Sequence, residues 1–388
     1  LLEEAFGGRI KPMKKVAIIG CGFAGLAASI YFRRHAKDLR VCVVDRKPTF
    51  DFLPMLPDAL GRNINPEHLF FPIALLSKIY GFDFINEPVS GVDLQSNIVS
   101  TSQRQVRFDY LLIASGSETN FYGDSRIQNS AYKLDDVRDA RDISKALKEN
   151  KFDSFVISGA GYTGVEIATN LSVFFESKKI ERKICIVERN PSILGPLPEW
   201  MKAYVYENLR RLNVEILTQN TISKVEGNKI FISNGRIFDN SMLIWAAGVK
   251  TADYVQALKL EKNPQGRLKV DEYLRISENS FVAGDCANFV HKNQALRMAA
   301  QFSIMQGSLA ARNILAYIKG ARLAKFSPID LGFIVPMANN RSCGKVLGLN
   351  MSGRLATMFH FLMCIYRSYG LRNRVGIIND LISPARNR

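Results

Sequence analysis

Two stretches of this chain combine residue types and spacing suited to one task, the cradling of a dinucleotide pyrophosphate. The first is Gly20-Cys-Gly22-Phe-Ala-Gly25, with Asp45 lying 25 residues beyond Gly20. The second is Gly159-Ala-Gly161-Tyr-Thr-Gly164, with Glu188 lying 29 residues beyond Gly159. In a G-x-G-x-x-G turn the first glycine permits the tight bend and the second lets backbone approach the pyrophosphate. The third lets helix and strand pack closely. The helix that follows offers free N–H groups and the positive end of its dipole to the phosphates. The acid accepts hydrogen bonds from a ribose hydroxyl. One copy is weak evidence, because glycine turns recur in ordinary α/β sheets. Two copies, each in the same context, are specific.

These residues can act only if the right elements hold them. Residues 16–19 and 41–44 are short and continuously apolar, as parallel strands buried on both faces should be, and a helical run to His35 joins them. Residues 155–158 and 184–187 repeat that arrangement around a helical run to Phe175. Three further segments follow the same grammar. Residues 108–116 read as a strand ending in Ala114-Ser-Gly116, residues 242–248 as one ending in Ala247-Gly248, and residues 281–286 as one running into Gly284-Asp285. The expected fold is α/β, with two Rossmann-like dinucleotide-binding domains.

Composition agrees and excludes other classes. Of 388 residues 47% are hydrophobic and 23% charged, enough for a large core and too apolar for disorder. Six cysteines form no C-x-x-C pair, and four histidines are scattered without metal-ligand spacing, so no metal site is expected. No Ser-His-Asp signature is present. Residues 1–12, upstream of Met13, lack the apolar core of a secretory signal. They are set aside from the fold, and a reducing, cytoplasmic setting is expected. No run reaches the ~20 apolar residues that span a bilayer. Lys and Arg exceed Asp and Glu by 16, which points to an anionic partner. No RNA- or DNA-binding signature accompanies the charge, and nucleic acid is not expected.

Taken in order, these segments resemble the two-dinucleotide flavoproteins, and within them the type II NADH dehydrogenases, single-subunit NADH:quinone oxidoreductases. Phe50-Asp-Phe-Leu-Pro-Met-Leu-Pro57 resembles that family's F-x-PLLP segment. Ala300-Gln-Phe-Ser-Ile-Met-Gln-Gly307 resembles its A-Q-x-A-x-Q-Q-G helix start, and Gly370-Leu-Arg-Asn-Arg374 its G-x-R-N-R. The resemblance implies FAD in the first cradle and NADH in the second, with the NAD domain inserted in the FAD domain. It places an FAD domain at 13–120 and 265–325, an NAD(H) domain at 121–264, and a C-terminal membrane-associating or dimerising helical segment at 326–388.

The same resemblance implies the site residues. FAD is assigned to Gly20, Gly22, Phe23, Ala24, Gly25, Asp45, Arg46, Ala114, Gly116, Gly284 and Asp285, the last on the ribityl chain. NADH is assigned to Gly159, Gly161, Tyr162, Thr163, Gly164, Glu188, Ala247 and Gly248. An acid at 188 repels a 2′-phosphate and favours NADH over NADPH, while Arg189 tempers that preference. Pro54, Gln301 and Met305 are assigned to the quinone. Glu166 and Gln301 are the catalytic candidates. Glu166, taken to lie in the first turn of its helix, would position nicotinamide or relay a proton, or else only stabilise the helix.

The chain departs from the motif it resembles at Met305, where that family carries glutamine, and at Ser303, where it carries alanine. The redox-active cysteine pair of the disulfide reductases is absent, and no cysteine lies between Tyr110 and Ile184 as a sulfide:quinone oxidoreductase would need. The alternatives are a flavoprotein reductase with a soluble acceptor, a sulfide:quinone oxidoreductase-like enzyme, or an NADH-responsive interaction protein with little turnover.

The last residues carry their own signal. From 320 to the end, ten Lys and Arg face only Asp330 and Asp380. Leu355, Met358, Phe359, Leu362, Ile365, Tyr366 and Tyr369 recur at helical spacing, followed by Ile377, Ile378, Leu381 and Ile382. Apolar stripes flanked by arginine suit helices lying in an anionic membrane interface, at the cytoplasmic face of the cell membrane. The other reading is packing on the core or against a second copy in a homodimer.

Overall fold

The structure, a computed structural model, describes residues 13–36 and 38–383. Residues 1–12, and Arg386 and Arg388 of the basic C-terminal run, lie outside the described residues. The chain divides into two compact units. Among the described residues, one comprises residues 13–50, 72–117 and 250–329, the other residues 51–71, 118–249 and 330–383.

The first unit is built on a five-stranded parallel sheet in the order Ser280–Val282, Tyr110–Ile113, Lys14–Ile19, Leu39–Val44, Asp83–Ile85. The chain leaves the central strand Lys14–Ile19 to build outward on one side, then returns to build on the other. The crevice at that strand's carboxyl end is where open α/β sheets bind ligands. Ala17, Ile19, Leu111, Ile113 and Val282 form one buried face of this sheet. The helices Phe23–His35 and Ala300–Ile318 meet closely because Gly307 lies on the Ala24 carbonyl, with no room for a methyl group. An antiparallel sheet of Val89–Asp93, Ile98–Thr101 and Gln105–Arg107 completes this unit's main elements.

The second unit repeats the plan. Its four parallel strands run Val214–Thr218, Lys183–Glu188, Ser154–Ser158, Ser241–Trp245, again with the order reversing at the strand that precedes the glycines. Phe155, Ile157, Ile184, Ile186, Met242 and Ile244 pack beneath the helix Tyr162–Lys178 through its Val165, Ala168 and Leu171. A small antiparallel sheet, Ile222–Glu226, Lys229–Ile232 and Ile237–Phe238, lies beside them in sequence.

The C-terminal segment, expected to be helical, opens instead with a three-stranded antiparallel sheet of Gly332–Val335, Cys343–Val346 and Leu349–Ser352. Val335, Met337 and Cys343 are buried in the same core as the second parallel sheet, so this stretch is part of the second unit. Two helices follow, Gly353–Arg367 and Leu371–Ile382. The second is fixed to residues 65–70: His68 Nδ1 lies 2.7 Å from Asp380 Oδ2, Asn373 Nδ2 donates to the Phe70 carbonyl at 2.7 Å, and Gly376 sits against the His68 ring. The sequence borders at 121 and 264 stand against 117/118 and 249/250 here. The segment 51–71, which no change of composition sets apart, belongs to the second unit.

Candidate functional site

The two cradles share one construction. Gly20 has φ +97° and Gly159 φ +102°, a conformation that side chains resist. A Cβ on either would fall within 3.0 Å of backbone on the neighbouring strand, at Ala114 in the first cradle and Ala246 in the second. The third glycines are tighter still. A Cβ on Gly25 would collide with the Gly20 carbonyl oxygen, and one on Gly164 with that of Gly159. At the second glycines, Gly22 and Gly161, a Cβ meets no heavy atom within 4 Å. Each of these two is also the N-cap of its helix, with no side-chain cap on the amides behind it. Open space above uncapped helix amides fits the pyrophosphate of a dinucleotide.

The terminal acids do more than wait for a ribose. Asp45 accepts from the Cys21 N–H at 2.7 Å and the Lys47 N–H at 2.9 Å. Burial pushes its carboxyl up, while those two amides pull the other way. Glu188 accepts from the Ala160 N–H at 2.8 Å, and from the Asn190 N–H and Nδ2 at 2.8 and 2.7 Å. In both cradles the acid clamps the amide that follows the first glycine. Both Asp45 oxygens and Glu188 Oε2 retain a lone pair for a further donor, whereas Glu188 Oε1 already accepts two.

Around the first cradle, Ala24 and Ala114 are buried, Arg46 is exposed, and Gly116 and Gly284 adopt φ +68° and +80°. The Gly284 N–H donates to Gln306 Oε1 at 2.7 Å. Asp285 accepts from Ser303 Oγ at 3.4 Å and Ser117 Oγ at 3.5 Å. Burial pushes its carboxyl up, against Arg267 and the two hydroxyls. Ser303 therefore uses the hydroxyl that distinguishes it from alanine. Gln306, the motif's last glutamine and absent from the sequence-based site, orders the Gly284-Asp285 turn. Gln301 is buried and Met305 half-buried on the same helix.

Around the second cradle, Tyr162 is half-buried, Thr163 exposed and Ala247 half-buried. Gly248, at φ +83°, lies under the Tyr122 hydroxyl, so close that a Cβ would displace the ring. Tyr122 was not among the expected residues. It is 62% exposed with φ +53°. Of the quinone set, Pro54 belongs to the second unit and Gln301 and Met305 to the first.

Glu166 is corrected in one respect. It is the fifth residue of the helix Tyr162–Lys178, beyond its first turn, which holds no acid. Helix-dipole stabilisation is therefore not its role, since that effect fades within the first turn. Burial pushes its carboxyl up to about 8, with His360 lowering it and Asp58 raising it. Asp58 and His360 escaped the sequence reading, which counted the histidines as scattered. Only the fold brings them near each other.

A family model of pyridine nucleotide-disulphide oxidoreductases matches residues 14–310, and the chain belongs to that family. Among curated relatives, a type II NADH:quinone oxidoreductase of Staphylococcus aureus is 24% identical, over 88% of this chain and 92% of that protein. A probable NADH dehydrogenase of Dictyostelium discoideum is also 24% identical, over 74% of this chain and 70% of that protein. Among solved structures, NDH2 from Plasmodium falciparum in complex with NADH superposes with a TM-score of 0.85 at 17% identity, covering 95% of this chain and 98% of that one. The two-cradle fold expected from sequence is the fold of these proteins.

Proposed function

We propose that the chain is a FAD-dependent NADH:quinone oxidoreductase working at the cytoplasmic face of a membrane without pumping protons. The observation that carries this reading is the duplication of a dinucleotide cradle, each copy with its own clamped acid. Its relatives named as NADH:quinone oxidoreductases support the choice of substrates. Bound FAD supplies the two-electron chemistry, taking hydride from NADH and passing two electrons to the quinone.

The protein's residues hold and orient these partners. Gly20, Gly22 and Gly25 admit the FAD pyrophosphate, Asp45 its ribose and Asp285 its ribityl chain. Gly159, Gly161 and Gly164 admit that of NADH, and Glu188 takes the adenosine ribose and repels a 2′-phosphate. Gln301 and Met305 of the first unit are assigned to the quinone, as is Pro54 of the second. Glu166, protonated at neutral pH, holds a proton for its reduction.

The C-terminal helices suit a lipid surface. Leu355, Met358, Leu362 and Tyr366 are exposed at helical spacing on Gly353–Arg367, and Leu371, Val375, Ile378 and Ile382 on Leu371–Ile382. Arg354, Arg372 and Arg374 are exposed on the same two helices, and each is worth about 1 kcal/mol near anionic lipid. Among the described residues no helix is long and apolar enough to cross a membrane. Attachment through these two faces is peripheral, and it brings a lipid-dissolved quinone to the protein.

The test is stopped-flow reduction of the holoenzyme by NADH and by NADPH, followed by mixing with a ubiquinone or menaquinone analogue in lipid. The expected result is a yellow protein, bleached faster by NADH and reoxidised by quinone. Bleaching without quinone reoxidation assigns a soluble acceptor instead. A colourless, folded protein that takes up no FAD overturns the reading.

A further inference from the structure

The two cradles are built alike up to one point. The Gly20 N–H donates to the Val44 carbonyl at 2.8 Å, and the Gly159 N–H to that of Val187 at 2.8 Å. The Ala114 N–H donates to the Ile19 carbonyl at 2.7 Å, and the Ala246 N–H to that of Ser158 at 2.8 Å. Two residues on, each rim ends in a glycine with positive φ, Gly116 at +68° and Gly248 at +83°. There the likeness stops. A Cβ on Gly116 would meet no heavy atom within 4 Å, whereas one on Gly248 would run into the Tyr122 hydroxyl and ring. Space that stands open at the first cradle is filled by an aromatic side chain at the second.

The covering ring and its backbone are held very differently. The Tyr122 N–H donates to Asn120 Oδ1 at 2.8 Å, the Asn120 N–H to the Gly248 carbonyl at 3.2 Å, and the Asp124 N–H to the Phe121 carbonyl at 3.1 Å. Trp245 Nε1 donates to the Asn120 and Ala247 carbonyls, both at 2.9 Å, and the Phe121 ring lies 5.9 Å from the Trp245 ring. These contacts tie residues 120–124 to residues 245–248. They also hold Tyr122 at φ +53°, a conformation that an aromatic residue adopts only at a cost. The ring itself is 62% exposed, so rotation about its χ1 bond loses little buried surface. Gly248 is relaxed at positive φ whatever lies above it, so the turn does not need the ring. A strained base under a lightly held ring suits a part that moves.

We propose that Tyr122 is a gate on the second cradle: its ring rests on Gly248 while the cradle is empty and swings away when a dinucleotide enters. This rests on the reading that the second cradle takes NADH. The difference between the cradles then has a reason. FAD is a resident group, and its cradle has no use for a cover. NADH must enter and NAD+ must leave at every turnover. A ring that competes for the rim lowers dinucleotide affinity by the fraction of time the rim is open. It weakens NAD+ as much as NADH, so the spent product is less able to hold the site. The ring returns to Gly248 only after the ligand has gone, so the gate acts on entry and leaves the rate of departure alone.

The test follows the ring and the ligand separately. Holoenzyme labelled with 3-fluorotyrosine is titrated with ADP-ribose, which carries the pyrophosphate but no nicotinamide, and Tyr122→Phe identifies the fluorine resonance of residue 122 by its loss. The expected result is a shift of that resonance that saturates with the ligand. Binding rates of ADP-ribose, and of NADH to holoenzyme whose flavin is already reduced, are then compared between variants. Tyr122→Asn removes the ring and places a residue that tolerates this φ. It should associate roughly threefold or more faster, with dissociation unchanged and affinity tighter by the same factor. Tyr122→Phe keeps the ring and should bind as wild type does. A resonance that stays in place while ligand binds overturns the proposal. So does weaker binding by Tyr122→Asn, the mark of a ring that holds the ligand, and so does one association rate shared by all three proteins. Should Tyr122→Asn fail to fold, Tyr122→Gly removes the ring at a position that glycine favours, and the same comparison decides. These outcomes strike the gate alone, whereas a wild type and variants that bind neither ligand overturn the NADH reading and the gate with it.

Discussion

The second and third glycines of a cradle should fail in opposite ways when each gains one methyl group. In Gly164→Ala the new Cβ falls on the Gly159 carbonyl oxygen, far inside the 3.0 Å that real Cβ atoms keep, with Ile157 Cγ2 behind it at 3.5 Å. The obstacle is backbone, so relief requires the helix Tyr162–Lys178 to lift off its strand by about 1 Å. Overpacking of this kind costs about 3 kcal/mol or more. At 2–4 °C per kcal/mol for a domain of this size, the midpoint of thermal unfolding should fall by about 6–12 °C. In Gly161→Ala the Cβ meets nothing within 4 Å, and the backbone is at φ −75°. Stability should change by no more than about 1 kcal/mol, the scale of an N-cap replacement. The methyl group instead stands where backbone must approach a pyrophosphate, and NADH affinity should fall about tenfold or more. Scanning calorimetry and NADH titration of the two holoenzyme variants separate the effects. A Gly161→Ala protein that binds NADH as tightly as wild type refutes the placement of the pyrophosphate. A Gly164→Ala protein with an unchanged melting point refutes the close approach.

Glu188→Ala removes the acceptor of both the Ala160 and Asn190 N–H groups, so stability should drop by about 1–3 kcal/mol while the ratio of NADPH to NADH efficiency rises, both measurable on one preparation. Leu362→Glu with Leu371→Glu, at positions 54% and 78% exposed, should leave the melting point unchanged and abolish cosedimentation with anionic vesicles. Vesicle binding by the wild type should weaken as salt is raised. Glu166 makes a pH prediction for stability. Its folded carboxyl sits at about 8 against an ordinary 4.5, so its protonated form favours folding below pH 4.5 and that contribution is lost as pH rises through 8. Glu166→Gln should therefore gain stability relative to wild type across this window, read as a difference in melting temperature between pH 4.5 and 9. Burial pushes the Cys286 thiol up to about 11 and the Cys343 thiol up to about 12, so native protein at pH 7.5 should leave both unlabelled by iodoacetamide, as peptide mapping would report.

The cradles were legible because everything that makes them is local. A buried strand, a glycine turn, a helix and an acid lie within about thirty residues of each other, and each glycine's backbone requirement is written in its own identity. Asp58 and His360 left no such trace. They approach where Phe361 packs on Arg62, a contact between segments far apart along the chain. The sheet of residues 332–352 was hidden for another reason. The arginines and apolar stripe further on dominate the composition of the segment, while the strands that fill the second core expose as much as they bury. Residues 51–71 are short turns, single-turn helices and the ends of two short strands, and their allegiance is set by contacts such as His68 with Asp380 and not by any periodicity.

The two acids deserve a different interpretation from the one their spacing first suggests. Were Asp45 and Glu188 only ribose ligands, nothing would require either to touch the turn. Yet both hold the amide after the first glycine, at 2.7 and 2.8 Å, and both hold a second amide two residues beyond themselves. A carboxylate gripping two backbone N–H groups fixes the glycine turn against the end of the neighbouring strand before any nucleotide arrives. The same bonds aim its remaining lone pairs. The acid is thus part of what shapes the cradle, and at Glu188 the charge proposed to repel a 2′-phosphate is one the turn already needs. Ligand binding then costs less ordering, because the loop that must meet the pyrophosphate is already held in place.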